Sequence, residues 1–261
     1  MFPVNEILAV QDLTKEFPSS KKRNTASQGK LAVDHISFTA YAGEIFGLLG
    51  PNGAGKTTTM RMLATLIKPT QGDATIDGMS ITTQSSSVRE KIGFLTGDLR
   101  LDDYFTPDYL FDFFSGLYHI DPITSRRRKQ ELFERFDISS FSHVRVANLS
   151  MGMRQKVSLV ISIVHDPTFI IFDEPTNGLD VITARTVTDF LLELKHQGKS
   201  IIVSTHIFSL IEKVCDRVGI IIDGRMAVCD TLAHITKTQC LEDVFFSIYD
   251  RNADKESGVI S

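Results

Sequence analysis

The residues best suited to chemistry lie in one glycine-rich stretch, Gly-Pro-Asn-Gly-Ala-Gly-Lys-Thr at positions 50–57. Two glycines separated by four residues and followed by lysine and a hydroxyl residue form the phosphate-loop pattern. Glycines let several backbone N–H groups face one anion, and the positive end of a following helix adds to the attraction. Lys56 is placed to neutralise the terminal phosphates of a nucleotide, and the Thr57 hydroxyl to ligate Mg²⁺. The sequence therefore predicts nucleotide contacts from Gly50, Pro51, Asn52, Gly53, Ala54, Gly55, Lys56, Thr57 and Thr58.

The sequence on both sides of this stretch supports the same interpretation. Residues 44–49, apolar after Glu44, are typical of a buried strand, and residues 58–67 carry apolar side chains at helical spacing. A strand, a glycine-rich loop and a helix thus follow one another in the order that a phosphate loop requires. A chance match to the pattern would not explain these flanks.

Two acidic residues follow another apolar run. Residues 168–172 resemble a parallel strand buried on both faces, and Asp173 and Glu174 come directly after them. Open α/β sheets bind ligands at the carboxyl ends of their strands, so we expect both acids beside the phosphate loop. Asp173 can hold Mg²⁺, directly or through water, and Glu174 can polarise an attacking water. At the mouth of a further predicted strand, at 200–204, stands His206; a single histidine there is more often structural than catalytic.

The remaining pattern predicts strands at both ends of the chain and helices in the middle. Strands are predicted at 7–13 and 33–40, and Asp-Gly pairs indicate hairpins at 74–81 and 218–229. Apolar residues recur at helical spacing from 104 to 164. The pattern is that of a helical insertion in an α/β core.

Phe17 and the segment 18–30 each allow two interpretations, whereas the basic run 126–129 has one simple interpretation. Phe17 lies upstream of the phosphate loop, where an aromatic ring could stack on a purine or belong to the core. The partly basic segment 18–30 is interpreted as a solvated hairpin loop, with a contact to an acidic partner or to lipid head groups as the alternative. The basic run 126–129 is interpreted as a solvated helix face.

Bulk composition excludes several classes of protein. The chain has 28 Lys plus Arg against 32 Asp plus Glu, and this net charge of −4 argues against nucleic acid as a general partner. Its longest uncharged run, 200–211, is shorter than the roughly 20 apolar residues of a membrane helix. No secretion signal is predicted at the N-terminus. The three cysteines are too few and too widely spaced for a disulfide framework or a zinc site.

Taken together, these motifs resemble the ATP-binding cassette (ABC) family over nearly the whole chain. Residues 50–57 match its Walker A motif, residues 169–174 its Walker B motif and residues 177–180 its D-loop. His206 matches the switch histidine, and residues 149–155, Leu-Ser-Met-Gly-Met-Arg-Gln, lie where the signature sequence belongs. Five motifs in this order are highly specific.

The resemblance implies a fold and a domain organisation. We expect an α/β P-loop NTPase core, with a mixed sheet that includes an antiparallel part, and an inserted helical subdomain. One ABC ATPase domain would span residues 1–261. Its nucleotide-binding core would comprise 1–97 and 165–240, its helical subdomain 98–164, and a short C-terminal tail 241–261.

The resemblance also implies roles in ATP hydrolysis, with ATP and Mg²⁺ as cofactors. Glu174 would act as general base on water, His206 would steady the γ-phosphate, and Lys56 would bind it. Phe17 lies where family members carry an aromatic residue that stacks on adenine, which favours that interpretation over the core. The implied metal ligands are Thr57 and Asp173, and the implied D-loop residue is Asp180.

The signature implies a second chain. Ser150 is the predicted N-cap of a helix at 153–164, so its hydroxyl and the first N–H groups of that helix form a second anion site. In the family, this site completes the nucleotide pocket of the opposing cassette. We therefore expect a head-to-tail homodimer, or a heterodimer with a similar cassette. The residues implied to act on the partner's ATP are Ser150, Met151, Gly152 and Met153.

Two departures from the family pattern affect these expectations. Met151 and Met153 stand where the usual signature has glycine and glutamine, so we expect function with altered contacts. The glutamine of the family's Q-loop falls on Gly97, and Asp98 is the candidate to replace it, since a carboxylate can accept from metal-bound water. The sequence at 93–98, together with the Phe-rich segment after it and the Met-bearing signature, looks most like the ATPases of sodium-exporting (NatA-type) and drug-exporting systems.

The resulting functional hypothesis is an ATPase subunit that drives export of sodium ions or a drug through a separate integral-membrane permease, at the cytoplasmic face of the cell membrane. The permease is expected to dock between Gly97 and the aromatic face at 104–118, although Phe113 and Leu117 in that face are expected to be core. The alternative is a soluble ABC-type ATPase that uses ATP-driven dimerisation as a switch. Relatives of that kind usually carry two cassettes in tandem or a long coiled coil, and this sequence has neither.

Overall fold

The computed structural model describes residues 5–18, 29–96 and 101–257, with side chains up to residue 252. Gly97, Asp98 and most of the basic segment 18–30 lie outside the described residues, so the hypotheses made for them stay predictions. In chain order, the elements are β1 (Glu6–Phe17), β2 (Lys30–Tyr41), β3 (Ile45–Leu49), α1 (Lys56–Leu63), β4 (Gln71–Ile76), β5 (Met79–Ser80), α2 (Ser85–Lys91), β6 (Ile92–Thr96), α3 (Pro107–Leu117), α4 (Pro122–Arg135), α5 (Met151–Ser162), β7 (Phe169–Asp173), α6 (Val181–His196), β8 (Ser200–Thr205), α7 (Phe208–Val214), β9 (Arg217–Ile222), β10 (Arg225–Thr231), α8 (Leu232–Ile235) and α9 (Leu241–Ser257).

A central sheet organises the described part of the chain, with the strand order β10-β9-β3-β8-β7-β6. Its neighbouring strands are parallel except for β9 and β10. Every residue of β3, β7 and β8 is buried, as expected of parallel strands covered on both faces. Within β7, Phe172 belongs to the hydrophobic cluster on the helical side and Ile171 to the cluster shared with the second sheet. The carboxyl ends of β3, β7 and β8 therefore lie at one edge, where the predicted site residues follow them.

A second, antiparallel sheet has the order β2-β1-β4-β5 among the described residues. Strands β1 and β2 are longer than predicted because they pair with each other along most of their length, from Glu6 with Tyr41 to Phe17 with Lys30. The α/β P-loop NTPase fold with an antiparallel part is confirmed. Both predicted hairpins are confirmed as well, and their Asp-Gly turns have positive φ angles throughout.

The helix after the phosphate loop differs from its predicted bounds. We expected a helix at 58–67, whereas α1 begins at Lys56 and ends at Leu63. Its end is set by Thr65, which adopts a left-handed φ of 61°, and the amides of Leu66 and Ile67 then bond back to the Arg61 carbonyl. The apolar spacing continued past the point where the backbone leaves the helix.

The predicted helical insertion corresponds to α3, α4 and α5, which lie in sequence between β6 and β7. Side-chain caps start the helices, with Thr106 bonding the Tyr109 amide and Asp121 the amides of Ile123 and Thr124. The expectation that Phe113 and Leu117 belong to the core is wrong, because they are 52% and 61% exposed. Helix α3 turns Leu110 and Phe111 inward instead, and the apolar stripe is wider than the buried face.

Two further expectations need correction or extension. The basic run 126–129 is solvated only at its start, since Arg128 bonds Asp166 at 3.1 Å and Lys129 bonds Asp108 at 2.8 Å. The segment expected to be a short C-terminal tail forms α9, whose first residue, Leu241, is fully buried in the main hydrophobic cluster. Across the described residues, none of the helices combines the length and the apolar character that a bilayer crossing requires.

Candidate nucleotide-binding and hydrolysis site

The phosphate loop connects the end of β3 to the start of α1 and depends on glycine at its closest approaches. Gly55 has a φ of 103°, and a Cβ there would lie 2.5 Å from the Ala32 carbonyl oxygen. The neighbouring Gly53 also adopts a positive φ, of 85°. Only glycine adopts these conformations without a steric penalty, so the loop can present its N–H groups to an anion.

Lys56 is the buried cation of the site, with only 5% of its surface exposed. Its Nζ donates to the carbonyl oxygens of Gly50 at 2.7 Å and Pro51 at 3.2 Å, and lies 3.8 Å from Glu174 Oε1. Burial lowers the pKa of this ammonium group, and the charges of Glu174 and Asp173 oppose the shift. The ammonium group of Lys56 is thus held against the first residues of the phosphate loop.

Asp173, the last residue of β7, is 3% exposed. Its Oδ1 accepts a hydrogen bond from the Ser204 hydroxyl, and the Thr57 side chain also bonds to the carboxylate. Burial raises the pKa of the Asp173 carboxyl group, and these hydrogen bonds act in the opposite direction. A carboxylate and a hydroxyl side by side are the hard oxygen donors that Mg²⁺ prefers, so the donor set fits this ion.

Glu174 lies between the other two predicted catalytic side chains, His206 and Lys56. Its Oε1 is 3.0 Å from His206 Nδ1 and 3.8 Å from Lys56 Nζ, while its Oε2 accepts from the Thr205 hydroxyl at 3.2 Å. The backbone of Glu174 has a φ of 52°, which is uncommon for a residue with a Cβ. The structure thus brings all three side chains together. His206 contacts Glu174, a carboxylate that can take part in proton transfer.

Phe17 lies at the mouth of the same site. It lines a cavity of about 320 Å³ together with Asn52, Lys56, Thr57 and Glu174. The core interpretation of Phe17 is wrong, because the side chain is 39% exposed. The ring therefore lies beside the phosphate loop, and Lys15 Nζ is 5.2 Å from its centroid.

The signature residues lie apart from this cavity. The predicted N-cap is confirmed, since Ser150 Oγ accepts from the Met153 amide at 3.2 Å at the start of α5. Of the described residues, Ser150, Met151, Gly152 and Met153 are not among those lining the 320 Å³ cavity. One chain thus presents two separate helix N-termini, one after the phosphate loop and one at Ser150.

The structure explains how the unusual Met151 is accommodated. A Cβ built on Gly178 in the D-loop would lie 2.6 Å from Met151 Cε, so the methionine occupies space that only glycine leaves open. Apart from this contact, Met151 points largely to solvent and is 70% exposed. Methionine in place of the usual glycine is thus accommodated while Ser150 still caps α5.

Asp180 in the predicted D-loop caps α6 rather than facing the cavity. Its Oδ1 accepts from the amides of Ile182 and Thr183, both at 3.0 Å, and its Oδ2 from the Thr183 hydroxyl at 2.7 Å. These hydrogen bonds lower the pKa of the Asp180 carboxyl group, and the bond from the Thr183 side chain has the largest effect.

Several residues of this site were not predicted from the sequence. Lys30 and Ala32 line the cavity because β2 passes beside the loop, which no local pattern indicates. Ser204 and Thr205 bond the two acids. Their hydroxyls, directly before His206 at the end of a predicted parallel strand, were the available signal.

Comparisons with known proteins agree with this geometry. Residues 33–177 match the family model described as ABC transporter. The ABC transporter ATP-binding protein NatA of Bacillus subtilis is 35% identical, over 91% of this chain and 95% of its own length. The probable multidrug ABC transporter ATP-binding protein YbhF of Escherichia coli is 31% identical over 88% of this chain, which spans only 38% of YbhF.

Solved structures show the same fold. An ATP-binding subunit of an ABC transporter superposes with a TM-score of 0.83 at 26% identity, covering 93% of this chain and 99% of that one. The cassette MJ0796, solved as a dimer in a post-hydrolysis state with ADP and Pi, has a TM-score of 0.77 over 86% of this chain and 98% of its own, at 23% identity. This chain belongs to the ABC transporter family, as an ATP-binding subunit that hydrolyses ATP.

Proposed function

We propose that this chain is the ATPase subunit of an export system, acting on a separate integral-membrane permease at the cytoplasmic face of the membrane. The transported species would be sodium ions or a drug-like small molecule. The observation that carries the ATPase part is the single cavity shared by Phe17, Lys56 and Glu174. Export is supported by the sequence at 93–98 and by the similarity to a probable multidrug protein.

In the proposed reaction, each side chain of the site has a separate task. Phe17 stacks on the adenine, and the loop amides with Lys56 bind the phosphates. Glu174 takes a proton from the attacking water, and His206, bonded to the same carboxylate, steadies the γ-phosphate. Thr57 and Asp173 would hold Mg²⁺, which when bound neutralises charge on the β- and γ-phosphates.

The proposed working unit is a head-to-tail dimer with two composite sites. The signature lies outside its own chain's cavity and presents the N-terminus of α5, a twelve-residue helix capped by Ser150. Such a terminus attracts phosphate through its dipole and its unpaired amides. Ser150 and Gly152 of one subunit would therefore reach the γ-phosphate bound by Lys56 of the other.

The adenine contact gives the first testable expectation. Replacing Phe17 by alanine should weaken ATP binding by about 5- to 150-fold, since stacking of a base on an aromatic ring contributes roughly 1–3 kcal/mol. Titration calorimetry with ATP measures this, and Phe17→Tyr should keep the affinity because it keeps the ring. Leu31→Ala is the control, since Leu31 is also an exposed apolar residue on the neighbouring strand but does not line the cavity. Unchanged affinity in Phe17→Ala would reject the stacking role.

The proposed permease surface is an apolar groove of about 430 Å³ between the β6 side of the core and the helical insertion. Its wall includes the exposed rings of Phe105 and Phe113. Tyr109, which does not line the groove, stacks between them with ring centroids 4.5 Å from Phe105 and 6.3 Å from Phe113. Exposed apolar side chains that lie next to one another commonly mark an interaction site. Other lining residues are Leu66, Phe94, Leu101, Phe114 and Tyr118.

A charged substitution in the groove should separate docking from catalysis. We expect Phe113→Arg to lose co-purification with a membrane protein from detergent-solubilised membranes, while its ATP binding stays unchanged. Ile123→Arg is the matched control, because Ile123 is 82% exposed on α4 and does not line the groove. If the unmodified chain repeatedly recovers no integral membrane protein, the transporter proposal fails.

A further inference from the structure

The last two residues of β8 carry hydroxyl groups, and each contacts one of the two acids at the end of β7: Asp173, its last residue, and Glu174, which follows it. Asp173 and Ser204 are register partners in the parallel pair, and the Ser204 hydroxyl donates to the Asp173 carboxylate. One residue further on, the Thr205 hydroxyl donates to Glu174 Oε2 at 3.2 Å. Each acid thus has its own hydroxyl donor from the neighbouring strand.

The direction of the Thr205 hydrogen bond is fixed by its surroundings. Thr205 is fully buried, and its Oγ1 accepts from the amide of Ile207 at 3.1 Å. A hydroxyl has one proton to donate, and a carboxylate oxygen is acceptor-only when ionised. With the Ile207 amide already donating to Oγ1, the Thr205 proton goes to Glu174.

This contact determines how the Glu174 carboxylate is oriented. Its Oε1 faces His206 Nδ1 at 3.0 Å and Lys56 Nζ at 3.8 Å, so Thr205 holds the other oxygen, Oε2. The backbone of Glu174 has the uncommon φ of 52° and is anchored by its amide to the Ser204 carbonyl at 3.0 Å. Contacts on both oxygens fix the plane of the carboxylate, which a single contact would leave free to rotate.

We propose that Thr205 is a positioning residue for ATP hydrolysis: its hydroxyl holds the Glu174 carboxylate in the orientation in which it accepts a proton from water. Thr205 acts through Glu174 and does not line the nucleotide cavity. The inference rests on the proposed role of Glu174 as general base. It assigns the residue before the switch histidine a task that is distinct from phosphate binding.

The test compares removal of the hydroxyl with removal of the methyl group. Thr205→Val keeps the shape and should lower kcat by about 10- to 100-fold, the scale expected when a reacting group is misplaced. The KM for ATP and its directly measured dissociation constant should stay within about twofold, because binding does not involve Thr205. Thr205→Ser keeps the hydroxyl and should restore most of kcat. Thr188→Val is the matched control, since Thr188 is also buried and its hydroxyl donates to the Ala184 carbonyl within α6.

The outcomes distinguish this inference from the proposed role of Glu174. A wild-type kcat in Thr205→Val, with an inactive Glu174→Gln, overturns the positioning role alone. If Glu174→Gln is active instead, Glu174 is not the general base, and the positioning role of Thr205 fails with it. Equal loss in the valine and serine variants would also overturn it, because keeping the hydroxyl in serine would then not preserve the rate. If Thr205→Val does not fold, as judged by its thermal unfolding, Thr205→Ala against Thr205→Ser provides the same comparison.

Discussion

Replacing Glu174 by glutamine should abolish ATP turnover while ATP still binds, and should trap the protein as a dimer. Glutamine keeps the size of the side chain but cannot take a proton from water, and loss of a general base typically lowers the rate by about 10²–10⁴-fold. Phosphate binding depends on the loop and on Lys56, which the substitution leaves in place. The measurements are steady-state phosphate release, ATP binding by calorimetry, and size-exclusion chromatography with and without ATP.

The same chemical change elsewhere serves as control for this variant. Glu131→Gln on α4 alters an exposed residue whose side chain pairs only loosely with Arg127, at 3.9 Å, and should hydrolyse ATP normally. Hydrolysis at the normal rate in Glu174→Gln would reject Glu174 as the base. A loss of ATP binding in that variant would assign the residue to binding rather than to chemistry.

Replacing Lys56 by alanine should remove most nucleotide binding. A charge-assisted hydrogen bond contributes roughly 1.5–3 kcal/mol, so we expect ATP affinity to fall by about 10- to 150-fold, with hydrolysis falling further. The loss should be larger for ATP than for adenosine, because the lysine faces phosphate and not the base. Lys213→Ala removes an equal charge from an exposed position on α7 and should leave affinity unchanged. Equal affinities for ATP in Lys56→Ala and in the unmodified chain would contradict the assigned role.

The parts of the fold that sequence could predict are those with a local cause. Gly55 must be glycine because its φ is 103° and Ala32 lies too close for a side chain, and this requirement is visible as a spacing in the sequence. The Asp223-Gly224 hairpin and the Ser150 cap follow from the same kind of rule, since each feature is determined by a few consecutive residues.

The parts that sequence could not predict depend on what lies across the fold. The apolar spacing of α3 indicates an apolar stripe but not which part of it packs against the rest of the protein. Phe113 was therefore expected in the core and is exposed. Arg128 and Lys129 were expected in solvent and instead bond acids on other elements, which only the packing of the helices brings near. The contact of Thr205 with Glu174 likewise needs the pairing of β7 with β8.

One mixing experiment tests the composite site most directly. Lys56→Ala lacks the phosphate-binding lysine and Ser150→Arg blocks the signature, so each variant alone should be inactive. In a mixed dimer, Lys56 of one subunit faces an intact signature on the other, and hydrolysis should return, with its maximum at equal amounts of the two variants. If the mixture hydrolyses no more ATP than the two variants measured separately, or if Ser150→Arg alone matches the unmodified chain, two copies of this chain do not complete each other's site.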